Sequence, residues 1–314
     1  MYTMTAPKTK FWKKSNTEEN GIGLLFSMPW IIGFIAFQLY PIIQAIYLSF
    51  TEYNLFDDAK WVGLKNYVDM VSDANVYLAL RNTLYMAVIG LPITILVSIG
   101  IALLLNFGIK GLSFFRTIYY LPSIVPLVAA ASVFIWVLNP EFGLFSQALS
   151  PFGITVPSFI TDPAYTKPGL IIMDSWRSGQ TAIIILAALQ AIPRTHYEAA
   201  DLDGANAWDK FYHITLPGIS PTLLFVFITG LIGSLQYFTQ GFVFSSISNG
   251  ASNIAGYGPA GSLLFYATYL YNTAFKYMKF GYASALAMVL LVLIIILTLI
   301  TFAISRKAVN YATE

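Results

Sequence analysis

Apolar residues along this chain fall into six long blocks separated by short polar segments. The blocks are Leu24–Phe50, Asn82–Leu105, Thr117–Leu138, Gly169–Ile192, Pro221–Ser245 and Gly281–Ser305. A hydrocarbon layer of about 30 Å takes roughly 20 helical residues to cross, and each block is long enough. The pattern therefore predicts an all-α, polytopic membrane protein with six transmembrane helices.

Composition agrees. Of 314 residues, 57% are hydrophobic and only 10% charged, against about 45–50% and about 25% in ordinary soluble domains. A soluble core cannot absorb that excess. The first block is too long for a signal-peptide core and no small-residue cleavage site follows it, so it reads as a retained span. The formal net charge of +2 offers no broad basic face for nucleic acid. Zero Cys rules out disulfides, thiol nucleophiles and thiolate metal sites. The two histidines, His196 and His213, are not spaced as metal ligands.

Lys and Arg set the expected orientation. With the N-terminus inside, the inner segments hold Lys8, Lys10, Lys13, Lys14, Lys110, Arg116, Arg194, Lys210, Arg306 and Lys307, and the outer ones hold Lys60, Lys65, Arg81, Lys167, Lys276 and Lys279. Ten against six follows the positive-inside rule and places both termini in the cytoplasm.

Irregularities inside the spans carry the next layer of information. Pro29, Pro41, Pro92, Pro122 and Pro126 sit in or beside the first three spans. They read either as simple kinked packing or as the walls of a transport cavity. Asp174 and Arg177 lie three apart on one expected helical face, where a charge pair costs less than two lone charges. The fifth span aligns Gly230, Gly233, Ser234 and Tyr237 on one stripe. That stripe serves either close helix packing or hydrogen bonding to a polar solute.

Between the fourth and fifth spans the chain reads IPRTHYEAADLDGANAWDKFYHITLPGISP, a polar insert on the expected inner side. Pro193 ends the incoming helix, Arg194–Asp203 can form a short helix, and Gly204 permits a sharp turn. Trp208, Phe211 and Tyr212 give a second short helix an aromatic side that can lie against the bundle, with Pro217 marking its end. Such a projecting helix–turn–helix suits docking of a soluble partner.

Glu198-Ala199-Ala200, Asp203-Gly204-Ala205, Phe211, Ile214 and Leu216-Pro217 resemble the Glu-Ala-Ala loop of permease subunits of binding-protein-dependent ATP-driven importers. The likeness extends from Tyr40-Pro41 through Ser49-Phe50, Val62–Tyr67, Asn82-Thr83, Phe115-Arg116 and Leu121-Pro122 to Gly281–Ala285. It is nearest to the carbohydrate-uptake branch, and to the maltose-, lactose- and glycerol-phosphate-type subunit that pairs with a second, different permease.

The resemblance implies a type I ABC importer permease fold with a cytoplasmic coupling helix. It divides the chain into an inner tail (1–23), the first span with its outer loop (24–78), the transmembrane domain (79–305) with the coupling loop at 193–220, and an inner tail (306–314). It places Glu198 on basic groups of an ATPase subunit, Ala199 and Ala200 on the close-packed face, and Asp203 and Gly204 at the turn. It nominates Gly230, Gly233, Ser234, Tyr237 and Gln180 for the substrate pathway.

The partners it implies are a homologous permease in a heterodimer, two ATPase subunits, an extracellular or periplasmic solute-binding protein docking on 51–80, 139–168 and 247–280, the lipid of a bacterial or archaeal cytoplasmic membrane, and a sugar. Glycerol phosphate or a polyamine is the alternative solute. Trp176-Arg177-Ser178-Gly179-Gln180 departs from the family's Trp–Gly spacing, and Asn249–Pro259 replaces its Gly-Gly-Pro.

No G-x-x-x-x-G-K-[ST] loop occurs. This chain is thus expected to bind no cofactor and to be no enzyme, with ATP and Mg held by the ATPase subunits. A secondary transporter or channel would call for an inverted repeat or mid-membrane ionisable groups. A membrane enzyme would call for a converging polar cluster.

Overall fold

A computed structural model describes residues 17–107, 111–247 and 257–308. Nearly every element is helical, and the two short strands Thr51–Glu52 and Lys60–Trp61 pair as an antiparallel hairpin after the first span. Among the described residues, four helices are long and apolar enough to cross a bilayer: Gly23–Ser49, Ala74–Asn106, Ala207–Ser246 and Phe280–Ser305. The other two spans are broken pairs, Leu112–Ile124 with Leu127–Val137 and Thr166–Trp176 with Gly179–Ala191.

Prolines shape these helices through widened turns. Three π-turns, Ile35–Leu39, Met86–Gly90 and Phe211–Thr215, each end two residues before a proline: Pro41, Pro92 and Pro217. In each, the residue before the proline donates five residues back: Tyr40 to Ile35 O, Leu91 to Met86 O and Leu216 to Phe211 O. Proline has no N–H, and its ring crowds the carbonyl four residues earlier; one extra residue in the turn relieves both. Pro217 therefore does not end the second helix of the polar insert, as the sequence led one to expect. That helix continues into the fifth span.

The third span corrects a second expectation. Instead of one helix over Thr117–Leu138, two helices meet at a bend of 100°. Val125 and Pro126 are both extended, with ψ of 129° and 136°. A residue before proline is pushed out of the helical region, so Pro126 forces the break.

Packing follows side-chain size. The half of the bundle nearer the polar insert buries Ala102, Leu105, Ile185, Leu186, Leu189, Ile219 and Val226 between the second, fourth and fifth spans. A second cluster, including Ala79, Leu91, Leu231, Leu235, Ala285 and Leu286, joins the second, fifth and sixth. Glycine marks the closest approaches. A Cβ on Gly179 would stand 1.8 Å from Tyr119 O of the third span, and one on Gly281 would stand 2.0 Å from Thr51 O of the hairpin. The first span is divided in its packing: Tyr40–Ser49 lies along the sixth span, whereas the part before it leaves Phe26 and Phe37 each 82% exposed. A helical stretch that is apolar all round and leaves its side chains this exposed is one that meets lipid or another chain.

These approaches predict a contrast. Gly179→Ala must displace backbone and should cost about 1–3 kcal/mol, whereas a Cβ on Gly233 has nothing within 4 Å. Thermal unfolding of the detergent-solubilised protein should show a lowered midpoint for Gly179→Ala and none for Gly233→Ala. Equal midpoints would contradict the packing.

Candidate functional site

Pro193 is extended, with ψ 134°, and ends the incoming helix. The helix that follows, Arg194–Leu202, buries no residue. Its C-terminus closes as a Schellman motif: Ala205 N donates to Ala200 O at 2.9 Å and Gly204 N to Asp201 O at 3.2 Å. Gly204 sits at φ +76°, left-handed backbone that a side chain would strain. Asn206 then caps the next helix, its Oδ1 accepting from Trp208 N and Asp209 N at 2.8 and 3.0 Å while Asp209 Oδ2 accepts from Asn206 N at 3.1 Å. This is a full capping box. The projecting helix is tied back to the bundle by the Tyr197–Thr215 hydroxyl pair at 3.0 Å and by an ion pair between Lys210 and Asp201.

Glu198, Ala199, Asp203 and Gly204 are exposed and Ala200 is half-buried. The helix carries no large side chain at 199 and 200 and offers a free carboxylate at 198. The aromatic side chains behave differently from the sequence expectation. Trp208 and Tyr212 stack at 6.2 Å and face outward, 70% and 57% exposed, and only Phe211 and Ile214 turn toward the bundle. With Leu202, 91% exposed, they extend the projecting surface.

Deeper in the bundle, the five substrate-path candidates do not share one wall. The fifth-span helix ends at Leu235, so Tyr237 leaves the stripe. It is buried, donates its hydroxyl to Asp174 Oδ2 at 2.8 Å and meets Phe265 edge-on at 4.9 Å. Gly230 packs on Leu91, where an added Cβ would stand 2.4 Å from Cδ1. Gly233 faces open space, Ser234 is half-buried, and Gln180 is exposed on the first turn of Gly179–Ala191.

Asp174 and Arg177 form no ion pair among the described residues. The helix stops at Trp176, and Arg177 reaches across to the break in the third span. There its Nη1 donates to Val125 O at 2.5 Å and its Nη2 to Ser123 O at 3.5 Å. A cation at freed C-terminal carbonyls answers both their hydrogen-bonding need and the helix dipole.

At the opposite end of the bundle from the Glu-Ala-Ala helix, residues quoted for their pattern alone acquire roles. Asn82 Nδ2 donates to Gly261 O and Leu264 O at 2.9 and 3.0 Å, and Thr83 Oγ1 accepts from Tyr266 N at 2.9 Å. Asn66 Nδ2 donates to Ser49 O and Thr51 O, both at 2.9 Å, fixing the hairpin. Asp73 was missed by sequence reasoning. It caps Ala74–Tyr85 and accepts from the phenols of Tyr269 and of Tyr282, the latter at 2.9 Å. Burial and the Asp73 carboxylate push the Tyr269 phenol above its usual range. The departure at Asn249–Pro259 lies mostly outside the described residues; its end brings Gly258 and Gly261 at positive φ.

With this geometry in view, comparison with known proteins is decisive. Residues 94–310 match the family described as binding-protein-dependent transport system inner membrane component. The chain belongs to this family. It is therefore a transporter permease and a multi-pass inner membrane protein, not an enzyme. Among permeases of this kind it is 34% identical to the probable ABC transporter permease protein YesP of Bacillus subtilis, over 99% of both chains. It is 33% identical to the lactose transport system permease protein LacF of Rhizobium radiobacter, over 91% of this chain and 94% of that one. A solved bacterial ABC transporter involved in import of the acidic polysaccharide alginate superposes with TM-score 0.76 at 26% identity, covering 93% of this chain and 98% of its counterpart. The permease fold inferred from the Glu-Ala-Ala loop is thus the observed one.

The Asp174–Tyr237 bond makes a measurable demand. Tyr237→Phe should lower the thermal midpoint, because it removes a buried hydrogen bond to a carboxylate, worth about 1.5–3 kcal/mol. The Asp174→Asn, Tyr237→Phe double variant should cost less than the two single variants summed. Additive losses would show that the two residues act independently.

Proposed function

We propose that this permease is one half of the translocation path of an ATP-driven sugar importer, with an oligosaccharide as its solute. The observation that carries the reading is the exposed Arg194–Leu202 helix. It is capped at its far end, tied to the fifth span, and presents Glu198 beside two alanines. A rigid lever of this kind transmits a push from a soluble partner into the bundle. The sugar assignment rests on relatives named for lactose and for alginate.

In this reading the second half of the path is a homologous permease, and the exposed apolar first half of the first span supplies surface for it or for lipid. Two ATPase subunits hold ATP and Mg on the cytoplasmic side, where both termini lie, and Glu198 faces their basic groups. Closure of the ATPases moves the helix, rocks the fifth span through Tyr197–Thr215, and opens the path to the other side. A binding protein delivers the solute to the outer loops. Gly233, Ser234 and Gln180, the candidates with open faces, border the path, while Gly230 and Tyr237 hold its walls in place.

Charge reversal at the contact tests this. Glu198→Lys should cut uptake into intact cells by at least about tenfold, since like charges across an interface cost several kcal/mol, while the amount of permease in the membrane is unchanged. Uptake at the original rate with normal expression would contradict the coupling role.

A further inference from the structure

Six aromatic rings form a connected row at the end of the bundle away from the Glu-Ala-Ala helix. Tyr53 meets Phe280 at the start of the sixth span, and Phe275, Tyr271, Phe242 and Phe238 continue the row, neighbouring centroids standing 5.0–6.2 Å apart. Phe238 lies in the gap of the fifth span, a few residues past Ser234. The row therefore reaches from the loop after the first span to the neighbourhood of Gly233 and Ser234, the open-faced residues placed on the solute path.

The middle of the row walls a cleft of about 380 Å³, within the ~300–1,000 Å³ of small-molecule sites. Phe242, Tyr271 and Phe275 give it ring surface, being 38%, 39% and 56% exposed. Ser245, Ser246, Asn272 and Lys276 give it polar groups. The Ser246 hydroxyl donates to Val243 O at 2.8 Å, so toward a ligand it acts as an acceptor. Asn272 carries a donor and an acceptor, and Lys276 carries donors.

This mixture discriminates among occupants. Lipid tails do not match it, because hydroxyl, amide and ammonium groups are costly against hydrocarbon. Headgroup anchoring does not match it either. Interfacial belts consist of Trp and Tyr, whose polar tips reach water, whereas four of these six rings are Phe. A sugar matches both halves of the cleft. One face of a pyranose is a patch of C–H bonds that lies on an aromatic ring, and its rim carries hydroxyls that exchange hydrogen bonds with Ser, Asn and Lys.

We infer that this cleft is a saccharide subsite, where a unit of the incoming oligosaccharide stacks on Tyr271 and Phe275 before passing along the row toward Ser234. The inference rests on the oligosaccharide reading and adds a place of contact apart from Gly233 and Ser234. Successive ring faces hold the chain loosely at each step, so no single contact traps it.

The test uses the complete transporter with its binding protein in proteoliposomes, offered lactose, maltotriose and an alginate trisaccharide. The probe that raises ATPase activity is taken for uptake measurements. Phe275→Leu keeps apolar bulk and removes the ring. It should lower the maximal uptake rate about two- to tenfold, the scale of one aromatic contact, with the half-saturating concentration of loaded binding protein unchanged. Phe275→Tyr should restore the rate. Saturation-transfer NMR of the same probe, without binding protein, should show aromatic-to-sugar transfer that Phe275→Leu reduces. Full uptake with Phe275→Leu, or equal loss with Phe275→Tyr, would overturn the inference and leave the importer reading standing. If Phe275→Leu instead weakens docking of the binding protein or releases the second permease, the cleft is a protein contact and the inference is wrong. If none of the three probes stimulates the ATPase of an assembled transporter, the sugar reading falls and the inference with it.

Discussion

No water reaches the middle of a bilayer to satisfy a freed backbone group, so every break in a spanning helix must find partners inside the protein. Three of the six spans here are interrupted: the third at Val125-Pro126, the fourth at Arg177-Ser178 and the fifth at Gln236–Phe238. The breaks are joined side by side. Arg177, at the end of one helix, serves the freed carbonyls of the third span, and Tyr237, in the gap of the fifth, bonds Asp174 one turn before the break in the fourth. Gly179 lets the backbones approach closely enough for this to happen. The same layer that solves the hydrogen-bonding problem leaves three spans segmented, and a segmented span can tilt in parts.

The two ends of the bundle are built differently. On one side a short helix projects with its C-terminal end closed by the turn at Gly204, and it is tethered to the start of the fifth span. On the other side, Asn82, Thr83 and Asn66 stitch loops to span ends, and Asp73 collects two tyrosines. Between them the π-turns let prolines sit inside long helices without stopping them, so the helix that follows the Glu-Ala-Ala turn runs into the fifth span without a break at Pro217.

Much of this was legible in the sequence because hydrophobic length is a one-dimensional property. Six blocks of 20 residues or more announce six spans, and Gly204 announced a turn that the backbone indeed makes at positive φ. What stayed hidden depends on neighbours distant in sequence. Pro126 and Pro217 look alike along the chain, yet one breaks its span and the other is absorbed by a π-turn. Asp174 and Arg177 look like a pair at helical spacing, but the helix ends between them and each finds its partner in another span. Tyr237 fits a stripe that the fifth span does not extend far enough to continue. The outward-facing Trp208 illustrates the same limit, since an aromatic side predicts a contact without saying whether the bundle or another chain makes it.

The central claim is that the Arg194–Leu202 helix is the surface through which another chain drives this permease. The sequence contains no cysteine, so a single cysteine at Ala200 would be the permease's only thiol. The direct measurement is cross-linking of Ala200→Cys, through a short thiol-specific photoreactive linker, in membranes holding the complete transporter. The account predicts one adduct, with the ATPase subunit, whose yield changes when ATP is added. An assembled, folded permease that yields no ATPase adduct, or an adduct only with lipid, would contradict it.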